Sequence, residues 1–486
     1  MKTRNLFLSL FAFAALCACN KENPEGPQVL EADTYIKVNI MATGASTKAF
    51  EYGDDTENEV KNALFLFFDA SGNAVTNAKP TLTFGAANAT GQNVAKSATI
   101  KLPAKKTKPS QMLVILNYAN ESDYTGKPLS SVKALLAGKF VNEISSVDYF
   151  VMTNSVYTDD ASNAKTDEDV ICAVQLTDDN FGTTDTEDEL VDATPVNVYV
   201  ERVAAKVTLT KKGGGITVTP TTKEVVVLNS SSEFEVVEIT LTPDILGYTV
   251  IEDASDSYMF KTVDPAWDYV GWTDPTNFRS YWAESLSTAT YSHYTVAEIN
   301  AEPTTLYVHE NTSSDEETTT KVILAAQLKD GSSAPVELVE YNGTYYKMDA
   351  FKKLVVETVN ASLAIPIAEG DLEVAHVTAN DYEMKFTVVG NDDANAILET
   401  MVAKYWNQGY CYYFTEIMHD SPAVAGVVRN HVYQLTLNSL KGLGVSIPVP
   451  TTPIDPEKPV DEYYSLNATV NILQWKVVTQ EVDFDM

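Results

Sequence analysis

The chain has 486 residues, which is enough for two or three domains. Acidic residues outnumber basic residues by 67 to 34, and the resulting net charge of −33 argues against nucleic acid as a partner, because phosphate binding needs basic patches. A hydrophobic content of 44% and the many Tyr, Val and Thr residues favour folded β domains over a disordered chain.

The N-terminus has the features of an export signal. Lys2 and Arg4 give it a charged start, and residues 6–16 form an apolar stretch too short for a stable membrane anchor. Small residues then precede Cys19, as in a bacterial lipobox, so Cys19 is the predicted lipidated N-terminus. The alternative is an ordinary signal peptide that is cut near Ala18.

Short apolar strands separated by turns fill most of the chain. In the first of them, residues 35–41, Ile36, Val38 and Ile40 share one face. Helices are predicted at residues 130–136 and 396–404, and the pattern favours two β-sandwiches. The other predicted strands are residues 60–68, 97–102, 112–116, 148–152, 196–209, 223–228, 234–241, 321–328, 345–347, 353–361, 383–389 and 432–437.

A sharp change in composition divides the chain at residues 211–215, Lys-Lys-Gly-Gly-Gly. We therefore predict two sandwich domains between a leader and a tail. The predicted parts are a signal peptide at residues 1–18, a spacer and first strand at 19–48, an N-terminal sandwich at 49–212, a C-terminal sandwich at 213–444 and a tail at 445–486.

The tail begins with a proline-rich tether, residues 447–459, which we expect to be extended and held off the body. A strand follows in which Leu466, Ala468, Val470 and Ile472 alternate with polar residues. After Ile472 the apolar phase slips, which predicts a bulge or a handover between two segments. The residues on the apolar face after the slip are Leu473, Trp475 and Val477. A strand this apolar must be buried against a partner surface.

No catalytic site, metal site or cofactor is predicted. His419, Asp420 and Ser421 are the residue types of a hydrolase triad, but adjacent residues cannot converge as a triad does. The acidic residues 54–59 lack the spacing of a calcium loop and are predicted to be a solvated loop. Two cysteines, Cys172 and Cys411, are expected to be separate core thiols, although the sequence leaves a disulfide between them open.

Aromatic and basic side chains offer a second kind of candidate site. Trp267, Trp272, Tyr281 and Trp282 could stack on sugar rings, although core packing is the favoured use. The three arginines in apolar surroundings are expected to be structural forks bonded to carbonyl or carboxylate oxygens. They are Arg202, Arg279 and Arg429.

Several segments, taken in order, resemble the fimbrillins of Bacteroidales, the type V pilins, and in particular the shaft subunits of minor fimbriae. Each segment alone is weak, and their order together with the two chain ends makes the resemblance specific. The segments are residues 16–19, 200–207, 278–283, 308–312, 427–444 and 473–484, together with the proline-rich tether.

The resemblance implies an all-β fold of two tandem Greek-key, transthyretin-like β-sandwich domains with a C-terminal donor-strand tail. It implies export as a lipoprotein through Cys19 and cleavage by a trypsin-like surface protease between Lys48 and Ala49. Lys48 stands where the family pattern has Arg. The excised strand would carry Ile36, Val38 and Ile40. The donor residues would be Leu466, Ala468, Val470, Ile472, Leu473, Trp475, Val477, Val482 and Phe484.

The implied partners are other copies of the chain, anchor and tip subunits of the fimbria, the protease, and host or bacterial surface ligands. The implied locations are the outer membrane, through the lipid, for the precursor and an extracellular fimbria for the mature protein. The function expected from the resemblance is a structural pilin for adhesion and biofilm formation, not an enzyme. The alternative is a monomeric surface lipoprotein that binds glycans through Trp267, Trp272 and Trp282.

Overall fold

The computed structural model describes residues 28–41, 50–52, 57, 59–84, 94–118, 120–144, 146–154, 173–182, 193–262, 284–313, 315, 317–377, 380–420, 423–456 and 465–476. Within these ranges the chain is mainly β-strand. The N-terminal strands are β1 (Thr34–Met41), β2 (Phe50–Tyr52), β3 (Ala63–Phe68), β4 (Ala74–Ala78), β5 (Thr83–Phe84), β6 (Val94–Leu102), β7 (Gln111–Leu116), β8 (Leu136–Ala137), β9 (Val141–Ile144), β10 (Val147–Phe150), β11 (Met152–Asn154), β12 (Val174–Gln175) and β13 (Val196–Arg202).

The later strands include one of 18 residues, β17. They are β14 (Ala204–Lys211), β15 (Thr217–Val218), β16 (Thr221–Leu228), β17 (Phe234–Ile251), β18 (Ser257–Tyr258), β19 (Thr305–His309), β20 (Lys321–Lys329), β21 (Leu338–Tyr341), β22 (Thr344–Tyr346), β23 (Glu373–Val377), β24 (Asn380–Thr387), β25 (Ala403–Trp406), β26 (Tyr410–Glu416), β27 (Met418–Asp420), β28 (Ala423–Ala425), β29 (His431–Lys441), β30 (Val445–Ser446) and β31 (Ser465–Lys476).

The N-terminal half forms one large sheet with the order β4-β3-β7-β11-β13-β1-β6-β5, and β12 pairs with β7. Strand β3 is buried at every position, because both of its faces are covered. Phe65 and Val114 pack in the same core as β1, whereas Leu64 and Leu113 pack on the opposite face. The sheet therefore needs apolar side chains on both sides at its centre.

The described part of the C-terminal half contains two large sheets and the short hairpin of β27 and β28. One has the order β19-β14-β29-β31-β2, with β15 paired to β29, and the other has the order β23-β24-β25-β21-β22-β16-β17-β20-β26-β30. Leu209 and Leu435 from the first sheet share a core with Leu324 and Tyr413 from the second. The two sheets therefore pack face to face over a common apolar layer.

The chain passes from the N-terminal sheet to a C-terminal sheet between β13 and β14, although the sequence predicts one continuous strand over residues 196–209. Val203 separates the two strands, and β14 pairs with β19 and β29 in the C-terminal half. The composition break at residues 211–215 lies between β14 and β15, which both pair with β29. The change of sheet thus precedes the glycine-rich break.

Three α-helices are delimited among the described residues: α1 (Leu129–Lys133), α2 (Met348–Asn360) and α3 (Asp392–Leu398). Short 3₁₀ helices lie at Glu121–Asp123, Asp178–Asn180, Glu369–Asp371 and Asn407–Gly409. The predicted strand at residues 353–361 is wrong, because this segment belongs to α2. Phe351, Val355 and Val359 are buried at helical spacing on one face, and this periodicity outweighs the strand preference of the valines.

Helix α1 confirms the helix predicted at residues 130–136 as far as Lys133, and the predicted end is wrong because Leu136 begins β8. Helix α3 begins earlier than predicted, because the Asn391 side chain accepts a hydrogen bond from the Ala394 backbone N–H at 3.0 Å and caps its start. The predicted end of that helix is wrong, since residues 403–406 form β25. None of the helices in the described ranges is long and apolar enough to span a bilayer.

Candidate functional site

Strand β1 lies in the middle of the N-terminal sheet although it comes first in the described chain. It pairs with β13 in parallel and with β6 in antiparallel orientation, so both of its edges are hydrogen-bonded. Ile36, Val38 and Ile40 are fully buried in the core, as their alternation predicts. The three side chains that the resemblance assigns to an excised strand therefore lie between β6 and β13.

Burial of these three side chains is worth roughly 5–9 kcal/mol as an upper bound, at about 1.5–3 kcal/mol each. The Asn39 side chain also donates to Asn197 Oδ1 at 3.1 Å. Loss of β1 would leave unpaired N–H and C=O groups on β6 and β13, beside an apolar floor. Such a groove favours the addition of another strand.

The terminal strand β31 lies in a sheet of its own chain, between β29 and β2. It runs antiparallel to β29 from Ser465 to Gln474 and parallel to β2 from Gln474 to Lys476. Leu466 is buried in the core that the two C-terminal sheets share. The facing pairs are Leu466 with Leu440, Ala468 with Leu437, Val470 with Leu435, Ile472 with Tyr433 and Leu473 with Val432.

The bulge predicted near Ile472 is not where the structure has its irregularity. The pairing continues in register through Ile472 and Leu473, and the register shifts between Leu437 and Ser439 on the partner strand β29. The extra residue on β29 is Asn438. An added residue on one strand changes the pairing without requiring a change of phase on the other.

The described part of the tether lies on the body, which corrects the expectation that prolines hold it away. Ile447 and Ile454 are buried in a satellite core. The Asn407 side chain donates to the Pro448 carbonyl at 2.9 Å, and the Ile454 N–H donates to the Tyr294 carbonyl at 2.8 Å. Proline removes backbone donors but leaves these apolar side chains and carbonyls able to bind the body.

Several predicted site residues lie outside the described residues. They are Cys19, Lys48, Ala49, Val477, Val482 and Phe484, and also Cys172, Trp267, Trp272, Arg279, Tyr281, Trp282 and Ser421. For Ala468, Val470, Ile472, Leu473 and Trp475 the structure describes the backbone of β31 and its register.

Glu57 forms a buried ion pair, which corrects the prediction of a solvated loop at this position. It is 1% exposed, and its carboxylate lies 3.0 Å from Lys206 Nζ and accepts a hydrogen bond from the Tyr307 hydroxyl. Its backbone carbonyl accepts a 2.8 Å hydrogen bond from Arg202 Nε. Arg202 also donates to Asn430 Oδ1 at 3.2 Å, so these contacts join the two halves of the molecule.

Arg429 is the second buried fork and confirms the structural role predicted for such arginines. Its Nε donates to Glu310 Oε2 at 2.7 Å, and its terminal nitrogens donate to the Met259 and Tyr258 carbonyls at 3.0 and 2.5 Å. Lys261 lies 3.6 Å from a Glu201 oxygen and is also buried. Sequence reasoning did not pair these groups, because their partners are up to 171 residues apart.

Two other candidate residues, His419 and Cys411, are buried in the packed interior of the protein. His419 is buried, and its Nδ1 lies 2.9 Å from the Tyr433 hydroxyl, which in turn accepts from the Val428 N–H at 2.8 Å. Cys411 is a buried free thiol whose pKa is raised by burial, which makes it unreactive at neutral pH. Both side chains belong to the packing around β26 and β29.

Within the described residues the fold is mainly β, with its first strand central in one sheet and its last strand in another. Residues 404–481 match a family model described as the major fimbrial subunit protein type IV, fimbrillin, C-terminal. The matched segment includes β29, the tether and β31. This C-terminal region is therefore similar to the C-terminal part of fimbrillins.

Solved structures of fimbrial proteins resemble the chain at low identity. A fimbrilin, FimA, from Porphyromonas gingivalis W83 is 14% identical, with 93% of this chain and 99% of that chain covered and a TM-score of 0.42. The tip fimbrial protein Mfa3 from Porphyromonas gingivalis is 10% identical, with 91% and 100% covered and a TM-score of 0.33. A fimbrial assembly protein from Parabacteroides distasonis ATCC 8503 is 14% identical, with 78% and 100% covered and a TM-score of 0.31.

Proposed function

We propose that the protein is a shaft subunit of a surface fimbria that polymerises by donor-strand exchange. The main observation that supports this proposal is that β1 is a central strand and also the first strand of the described chain. One cut in the following connection would leave it without a covalent link to the body. In the proposed polymer, the terminal strand of another copy fills the groove between β6 and β13.

The position of Lys48 supports this cut. Lys48 lies between the end of β1 at Met41 and the start of β2 at Phe50. On the far side of the cut, Glu57 is held by Lys206 and Tyr307. Cleavage after Lys48 would therefore free the strand to be removed while the new N-terminus stays attached to the subunit.

The tail supports the donor role through its composition and its place in the fold. In the uncut chain β31 lies in its own sheet, so donation of this strand requires its pairing with β29 to open and to be replaced in the polymer. Residues 477–486 follow β31 and carry the apolar residues Val477, Val482 and Phe484. We propose that these residues and β31 together form the donor segment.

The remaining parts of the proposal concern export and assembly. Lipidation at Cys19 would hold the precursor at the outer membrane, and cleavage by a trypsin-like surface protease would release it for assembly into an extracellular fimbria. Anchor and tip subunits would complete the fimbria, which would bind host or bacterial surface ligands. The head-to-tail contact does not close on itself, so it yields filaments.

The proposed cleavage is tested on purified precursor. We expect the precursor to stay monomeric and limited trypsin treatment to convert it to ladders or filaments. Lys48→Ala should block the conversion, whereas the control Lys61→Ala, at an exposed lysine beyond β2, should not. N-terminal sequencing of filaments taken from cells should read from Ala49. Normal polymerisation of Lys48→Ala would place the cleavage site elsewhere.

A further inference from the structure

Three side chains meet where the tether crosses the C-terminal half: Glu252, His293 and Asp455. The His293 Nε2 atom lies 3.0 Å from Glu252 Oε1 and 3.9 Å from Asp455 Oδ1, and the three ligand atoms lie within 4.8 Å of one another. They come from the end of β17, from the loop before β19 and from the tether. Their sequence separation hides the cluster from motif searches.

The backbone holds these three residues together independently of their side chains. The Glu252 N–H donates to the Ser292 carbonyl at 3.1 Å, beside His293, and the Ile454 N–H donates to the Tyr294 carbonyl at 2.8 Å, beside Asp455. The Glu252 carbonyl accepts from Thr320 Oγ1 at 3.0 Å. The ligand atoms are therefore placed by fixed backbone segments.

Glu252 has an unusual conformation and environment for a carboxylate. Its φ of +59° lies in the left-handed region, which non-glycine residues rarely adopt, and its side chain is 1% exposed. His293 and Asp455, at 34% and 36% exposed, leave an approach from solvent. A buried carboxylate that faces an accessible histidine and a second carboxylate is a common beginning of a metal site.

We infer that Glu252, His293 and Asp455 bind a divalent transition-metal ion, with Zn²⁺ as the expected occupant. One imidazole nitrogen and two carboxylate oxygens form a ligand set that suits zinc better than magnesium or calcium. Bonds of about 2.0–2.2 Å in a tetrahedron separate ligand atoms by about 3.3–3.6 Å. The two observed distances from His293, 3.0 and 3.9 Å, lie on either side of this range. Water would complete the coordination.

Among the described residues, Lys321 is a cation whose charge interacts with two of the same carboxylates, Glu252 and Asp455. Burial lowers its pKa, while Glu252, Glu416, Asp455 and Asp315 oppose that change. Its Nζ donates to the Glu317 carbonyl at 3.1 Å. Lys321 thus offsets part of the negative charge before a metal binds, and the ion adds a direct bond between the body and the tether.

The consequence is that the metal fixes the point from which the terminal strand departs. Asp455 lies ten residues before Ser465, the first residue of β31. A bound ion would hold residues 447–456 on the body while the segment beyond them moves. This role rests on the proposed strand exchange, whereas the binding of metal does not.

The test is calorimetric titration of Zn²⁺ into the purified uncut protein, His293→Gln and Asp455→Asn. We expect one equivalent to bind and each substitution to weaken binding at least about tenfold. Asp244→Asn, at an exposed carboxylate on β17, is the matched control and should bind like the parent protein. Absence of binding by the parent, or equal binding by all variants, would overturn the site.

Hydrogen exchange on the same uncut proteins tests the effect on the tether. Zinc should slow exchange of residues 450–456 at least about tenfold in the parent protein and not in His293→Gln. Unchanged exchange in zinc-bound parent protein would overturn the tether role. Because neither readout requires polymerisation, failure of this site and failure of strand exchange can be distinguished.

Discussion

A buried ion pair in the C-terminal half is the main residue-scale feature. Arg429 and Glu310 form a bidentate contact through the arginine Nε and backbone N–H, at 2.7 and 3.1 Å. Both side chains are almost fully buried, at 0% and 4% exposed. Removal of one partner leaves the other charge desolvated and unpaired, which is costlier than the loss of a surface pair.

Glu310→Gln should therefore lower the free energy of unfolding by about 3–5 kcal/mol, because Arg429 would remain buried without its counter-charge. Urea denaturation measures this change. The matched control is Glu399→Gln, whose carboxylate pairs with Lys385 at 60% exposure and should change stability by less than about 1 kcal/mol. Similar effects of the two substitutions would contradict a special role for the buried pair.

Tyr405 gives a pH dependence with a defined sign. Burial, followed by its hydrogen bond to Glu337, raises its pKa above the usual value of about 10. A group whose pKa is higher in the folded state than in the unfolded state stabilises the protein below the unfolded pKa. This contribution is lost as the pH rises from the unfolded pKa through the folded pKa. The stability difference between parent and Tyr405→Phe should be constant from pH 7 to 9 and should shrink above about pH 10. A difference that grows above pH 10 would contradict this account.

At the scale of elements, the proposed strand exchange makes β1 and the tail strand alternative occupants of one groove. Cleaved subunits mixed with a synthetic peptide of residues 460–486 should take up the peptide and form shorter ladders, because the peptide fills the groove without offering a new one. Electrophoresis with mass spectrometry measures both effects. A peptide of the same composition in scrambled order is the control, and equal inhibition by both peptides would contradict groove binding.

The pairing of β31 with β29 is itself testable in the uncut chain. Leu466→Asp should place a carboxylate in the shared apolar core and release β31, so that amides of residues 465–476 exchange at least about tenfold faster. Thr451→Asp, at an exposed tether position, is the control. Unchanged exchange in Leu466→Asp would mean that this core contact does not hold the strand.

The sequence predicts the strands of this fold well where burial alternates simply. Ile36, Val38 and Ile40 are correctly predicted as one buried face, because a period of two is unambiguous in a strand. The prediction from sequence is wrong for α2, because the β-branched residues Val355, Val356 and Val359 favour a strand by composition. The i, i+4 spacing of Phe351, Val355 and Val359 is the signal that identifies the helix.

The site is less predictable than the fold. The central position of β1 follows from pairing with β13, 158 residues later, and no local pattern contains that information. The same holds for Glu57, which looks like part of an acidic loop until Lys206 and Tyr307 are brought to it. The prolines of the tether wrongly predict a segment held away from the body, because the sequence does not show that Ile447 and Ile454 pack into a core.

At the scale of the whole molecule, the two strands lie at opposite ends of the chain and in different sheets. The buried contacts of Arg202 with Asn430 and of Lys261 with Glu201 join the two halves, so under the proposed function a pull on the tail would be transmitted through the subunit to the groove. A subunit that gives a strand at one end and receives one at the other forms a filament with no covalent links.

The most direct test of this account is limited trypsin cleavage of the full precursor beside a variant that lacks residues 460–486, followed by electrophoresis and electron microscopy. Cleaved parent protein should form ladders and filaments, and the cleaved truncated variant should stay monomeric. Filaments of normal length from the truncated variant would contradict donation of the terminal strand.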